Sequence, residues 1–297
     1  IHMFADYENV FTPYQGQGFK FESEVLGDGE FDLSLYRSTD ANMRRSNFAF
    51  TQDNTNYVGR ITLRAGSETN EVCSKNGSAP NDYSCTTLWV TNDYALGGAR
   101  DTFAYDALSL RGYSRLVAPR DVTLPAGLNR GIFITGKGDL ANGRLAPTNG
   151  ATLTVNWPIT LNGKLRKQGD GRLALGGSAM RFTDGADTSM PEEGKNLVTV
   201  EQGDLKVLSA DALNGAAITF FANTRLVVPA DAKDADLRTY GLRNVKGTFA
   251  ASRLALADGA GTLPVLLDAH GMSVRKPRAD AIVPVAGPVG ALHDPDA

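Results

Sequence analysis

Between Asn156 and Val228 the chain breaks into very short alternating runs: Lys164 to Arg166, Arg172 to Leu175, Asp204 to Leu208 and Thr224 to Val228. Gly, Asn and Asp separate them. Successive side chains leave a strand on opposite faces, so strict alternation marks a half-buried strand. Strands this short hold only two or three inward residues each, too few to close a core alone. Stacked one above another at ~4.8 Å, equivalent positions pile into continuous ladders of Leu, Val and Ile. The 32 glycines belong to the same argument, because corners between faces need backbone with positive φ. The expectation is an all-β coil of stacked strands with no helical crossover.

The phrase GKLRKQGDGRLALGG (163–177), a strand, and then GDLKVLSADALNGAAITF (203–220) resembles the autotransporter-associated β-strand repeat of bacterial passenger domains. That repeat has the form GxLxKxGxGxLxLxG … GxLxVxxxxALG. The matching residues are Gly163, Leu165, Lys167, Gly169, Gly171, Leu173, Leu175 and Gly177, then Gly203, Leu205, Val207, Ala212, Leu213 and Gly215. The family's Thr- and Tyr-rich segment between the two halves is replaced here by Arg181 to Asn196. The resemblance implies a right-handed parallel β-helix, a solenoid of roughly ten to twelve turns for a chain this long.

Weaker copies extend the pattern. Gly27-Asp28-Gly29 before Phe31 to Leu35 parallels Gly169-Asp170-Gly171 before Leu173 to Leu175. Asn54 to Gly59 resembles the family's NxYxG phrase, Leu88 to Ala99 parallels Leu205 to Ala216, and Ser114 to Pro119 parallels Thr224 to Pro229. The order of these phrases predicts two superrepeats of roughly 140 residues. Further strands are expected at 48–51, 60–64, 121–124, 131–134, 151–155, 245–251, 254–256 and 263–267. Residues 4–276 read as one stacked unit with loop insertions. The Pro- and Ala-rich segment 277–297 reads as a tail holding one last strand candidate, and Ile1-His2-Met3 as a cloning remnant.

Composition excludes several classes. A net charge of −3 without a run of like sign lacks the basic stripe of a nucleic-acid binder. No apolar stretch reaches the ~18–20 residues of a membrane-spanning helix. Cys73 and Cys85 flank a polar loop rich in Gly, Asn and Pro, which reads as a disulfide formed in an oxidising compartment. Closing so short a loop stabilises by ~3 kcal/mol under a chain-entropy account. Two free thiols are the alternative, and a zinc site lacks two further ligands nearby.

The candidates for chemistry are sparse. Asp28 and Asp170 sit in corner phrases without the tandem GGxGxD of calcium-binding rolls. Asp184 with Asp187, and Glu192 with Glu193, have the composition of a glycosidase pair but lie in a polar insert. His270, near Asp268, and His293 are the histidines beyond His2, and no GxSxG, GxxxxGK[ST] or strand-borne GxGxxG phrase is present. No catalytic, cofactor or metal residues are assigned. Recognition, if any, is expected in the loops 37–47, 73–85 and 183–196, since loops on a rigid scaffold carry binding residues.

By its resemblance the chain is expected to be an exported cell-surface stalk or adhesin. Its partner would be a host glycan, a matrix protein or a second copy, and its membrane barrel would lie further along the full protein. Two other readings stand beside it: a polysaccharide-processing β-helix enzyme, and a scaffold whose catalytic domain lies outside this sequence.

Overall fold

A computed structural model describes residues 2–3, 8–11, 18–34, 46–64, 86–112, 114–135, 142–177, 180–183, 197–208, 212, 217–220, 224–228, 245–247, 253–256 and 262–263. Among the described residues the secondary structure is all strand, with no helix. Among these residues three large sheets hold nine, seven and seven strands, and nearly every pairing is parallel. The exception is Thr262–Leu263, antiparallel to Arg253–Leu256.

The chain visits the sheets in a fixed order. In the fourth circuit it runs through Arg115–Ala118 in the first sheet, Val122–Leu124 in the second and Arg130–Thr135 in the third. It then returns to the first sheet at Asn142–Pro147, one strand along, and pairs in parallel with Arg115–Ala118. The next circuit repeats the order with Thr152–Val155 and Ile159–Leu161. Successive first-sheet strands begin between 20 residues apart (Leu197 to Ala217) and 40 apart (Ser46 to Thr86). Nine such circuits at ~4.8 Å each give a stack roughly 40 Å long.

Register makes the core. In the second sheet Val122, Leu153, Leu173, Leu205 and Leu226 stand directly opposite one another in successive circuits. In the third sheet Phe31, Ile61, Leu108, Ile132 and Ile159 do the same, as do Leu33, Leu63, Leu110, Ile134 and Leu161. All of these side chains are buried. The alternate positions carry Thr123, Thr154, Ala174, Lys206 and Val227 in the second sheet and Asp32, Thr62, Ser109, Phe133 and Thr160 in the third, mostly polar, which is the alternation legible in the sequence.

The first three circuits differ. Where later circuits have a second-sheet strand, residues 22–25, 51–60 and 91–103 run irregularly, apart from Leu26–Gly27 and a bridge from Gly27 to Tyr57. Here the stack is held by Asn54, whose Oδ1 accepts from Val25 N–H at 2.8 Å while its Nδ2 donates to Ala95 O at 2.7 Å. One buried amide thus ties three consecutive circuits.

The long superrepeat is not the structural unit. Glu30–Ser34, after the first GDG phrase, lies in the third sheet, whereas Arg172–Leu175, after the second, lies in the second sheet. Likewise Thr86–Val90 and Arg115–Ala118 belong to the first sheet and their sequence parallels, Asp204–Val207 and Arg225–Val228, to the second. A corner followed by an alternating strand suits any face of such a stack, so phrase likeness does not fix which face is used. The repeating unit is one circuit.

Candidate functional site: an aromatic and arginine patch on the third sheet

Two kinds of polar and aromatic cluster stand out, one buried and one exposed. The buried kind sits at the corners. Arg130 enters the interior from the fourth circuit, and its Nε donates to Gly98 O (2.7 Å), its Nη2 to Tyr57 O (2.8 Å) and its Nη1 to Gly59 O (3.2 Å). Its guanidinium also lies 5.8 Å from the ring centroids of both Tyr57 and Trp157. Circuits two, three, four and five therefore meet at one side chain. Burial draws the Arg130 pKa down to about 10; the Tyr57 phenol opposes this and Arg100 adds to it. The guanidinium is still charged at neutral pH. The Tyr57 hydroxyl lies 2.6 Å from Arg60 O and 2.9 Å from Gly29 O and donates between them, and burial pushes its pKa far upward.

Lys167 is the second such brace. In the first sheet it is registered between Leu145 and Val200, a position otherwise held by hydrocarbon. Its Nζ turns back to Gly169 O (2.5 Å), Gly171 O (2.6 Å) and Gln202 O (2.8 Å), so it caps the corner carbonyls of two circuits. Gly169 has φ +76° there, and a Cβ on it would lie 2.1 Å from Pro147 O, so only glycine makes this turn. Burial lowers the Lys167 pKa to about 8, against the opposing pull of Asp204 and Asp170. Outside the same corner Asp204 accepts from Arg225 Nε and Nη2, each at 2.7 Å, and from Arg172 Nη2 at 3.2 Å. The motif residues Lys167, Gly169 and Gly171, and Asn54, Tyr57 and Gly59 of the NxYxG phrase, are thus braces of the stack.

The exposed cluster lies on the outer face of the third sheet. Ala104–Arg111 is bulged against Arg130–Thr135: Ala104 pairs with Arg130, but Leu108 pairs with Ile132, so three residues stand opposite one. Bulges re-aim side chains, and here Tyr105 is turned out to 45% exposure beside Phe103 at 42%. The backbone of the bulge presses on Gly131, where a Cβ would sit 2.8 Å from Tyr105 O. Tyr105 and Phe133 meet edge to face at 5.2 Å and 77°. Arg181, in register with Thr160 and through it with Phe133, lays its guanidinium 5.1 Å from the Phe103 ring centroid. Asp106 in the bulge pairs with Arg60 at 3.3 Å.

The residues singled out in the sequence are placed as follows. Asp28 and Asp170 are exposed at corners. Among the described residues no three of His, Cys, Asp and Glu come together in a way that would hold a metal ion. Cys73 and Cys85, the acidic residues 184, 187, 192 and 193, Asp268, His270 and His293 lie outside the described residues, as do loop positions 37–45, 73–85 and 184–196 and the tail 277–297. The patch itself escapes sequence reading. Its one local signal is an aromatic pair two residues apart, Phe103 and Tyr105, with Phe133 between two isoleucines at an outward position.

Compared with family models, with curated proteins and with solved structures, the chain finds no match in any of the three.

Proposed function

We propose that the chain is part of a right-handed parallel β-helix belonging to the passenger of an autotransporter-like bacterial surface protein. On this reading it works without catalysis, as a rod that carries recognition surfaces away from the cell. The observation that carries the reading is the register of the repeat phrase. Leu173 pairs with Leu205 and Leu175 with Val207, so the RLAL strand of the first half and the DLKV strand of the second lie one directly above the other in consecutive circuits. Lys167 and its corner carbonyls clamp those same two circuits. A stack held by nearest neighbours suits a rod, because each circuit added extends the core without needing a new one.

Among the described residues no helix is long and apolar enough to cross a membrane. On this proposal attachment to the cell falls to another part of the full protein.

Export is the test. The chain is placed behind a secretion signal and ahead of an outer-membrane barrel in a Gram-negative host, and surface display is read with an antibody and external protease. The proposal expects display of a protease-resistant, β-rich chain. Retention in the periplasm, or display only of degraded chain, would contradict it.

A further inference from the structure

We infer that the Phe103, Tyr105, Phe133 and Arg181 patch is a binding site for a carboxylate-bearing saccharide. The inference rests on the recognition half of the proposed rod function and is independent of export.

The patch is a rigid, open surface. Its aromatic residues stand on or immediately beside paired strands, Ala104–Arg111 and Arg130–Thr135, and the bulge that turns Tyr105 outward is braced from beneath at Gly131. An apolar peptide side chain needs a desolvated pocket to bind tightly, and an outward sheet face offers none. A pyranose has different needs. Its C–H face lies flat on an exposed ring while its hydroxyls stay in water, so exposed rings suffice.

Charge then selects among sugars. A guanidinium attracted to a ring face through its charge still carries its N–H donors in one plane, as a fork. Arg181 is exposed, and among the described residues its contact is the Phe103 ring. That leaves a planar fork of the shape that pairs with a carboxylate. Arg60 and Asp106 pair with each other at 3.3 Å, so the charge that belongs to the patch itself is that of Arg181. Aromatic faces beside one free fork fit a sugar acid: the ring stacks and the carboxylate meets Arg181.

The experiment is calorimetric titration of the whole chain with a galacturonate trisaccharide, a hyaluronan tetrasaccharide and an α2,8-linked trisialic acid. The methyl ester of the first and hexaglutamate serve as controls. Saturable binding of at least one acid is expected, at least tenfold tighter than its ester or hexaglutamate. In Tyr105→Ala, acid and ester should weaken together by about tenfold or more. In Arg181→Gln, only the preference for acid over ester should disappear. Tyr105 and Arg181 are exposed, so the circular dichroism and Tm of both variants should match the parent. Binding of none of the three acids, equal binding of hexaglutamate, or affinities unchanged in both variants would overturn the inference. A chain displayed on cells that binds no sugar acid would sink this site and leave the rod; a chain that binds but is not displayed would do the reverse.

Discussion

Replacing Arg130 with Met is the sharpest probe of how this stack is held. Methionine keeps much of the length and apolar body of the side chain but none of its donors. Three carbonyls lose a partner: those of Gly98, Gly59 and Tyr57. Tyr57 O also accepts from Gly98 N–H at 3.0 Å, so it keeps one bond. The other two lose a charged donor inside the stack, at ~1–3 kcal/mol each. The cation–π contacts with Tyr57 and Trp157 add ~0.5–2 kcal/mol. The sum spans roughly 2.5–8 kcal/mol, and it falls toward the lower end because methionine also removes the cost of burying the charge. Arg130→Lys retains the charge but not the planar fork, and should lose about half as much. Urea titration followed by circular dichroism gives the global loss. Native-state hydrogen exchange locates it, with the amides of Gly98, Tyr57 and Ile132 losing protection first. A loss below ~1 kcal/mol in Arg130→Met, with those amides still protected, would refute the view that a single cation locks circuits two to five.

Lys167 makes a pH prediction. Its folded pKa, about 8, lies below the ordinary 10.5, so between these values the unfolded chain binds more protons and stability rises with pH. The rise is at most ~3 kcal/mol, and less because a neutral amine has only two protons for three carbonyls. Urea midpoints at pH 7.5, 9 and 10.5 for parent and Lys167→Met give the difference, and a lysine-dependent fall over this range would show that the carbonyls hold the charge instead. Tyr57→Phe removes the donor shared by Arg60 O and Gly29 O and should cost ~1–3 kcal/mol, read as a lowered urea midpoint without change of slope. Under non-reducing conditions Cys73 and Cys85 should be recovered in one disulfide-linked peptide by mass spectrometry, and reduction should lower stability by ~3 kcal/mol or less; two alkylatable thiols in the oxidised protein would contradict the pairing.

The strands of Arg172–Leu175, Asp204–Val207 and Thr152–Val155 were legible because alternation alone decides which of their residues face inward. Ala104–Arg111 was not legible, since its bulge breaks the alternation at Tyr105 and Asp106. Asn142–Pro147 was hidden for another reason: Asn-Gly at one end and Pro at the other read as turn residues. Which face each strand joins depends on pairing with a neighbouring circuit, a contact between residues 20 to 40 apart that local pattern does not encode. The candidate site shares this limit. Phe103, Phe133 and Arg181 share one patch only because four consecutive circuits lie in register. The corner braces were visible as motif letters, yet their role was not: the register that turns Lys167 inward is a property of the stack.

The stack itself is tested most directly by one distance. Asn47, Thr87, Arg115, Arg144 and Arg166 occupy a single register line across the first sheet. Residues 47 and 166 are thus four strand steps apart, about 19 Å between Cα atoms at ~4.8 Å per step. Spin labels at these two positions, read by double electron–electron resonance, should give one narrow distribution within a label's length of that value. A broad distribution, or one centred beyond roughly 35 Å, would mean that the circuits do not stack in this register.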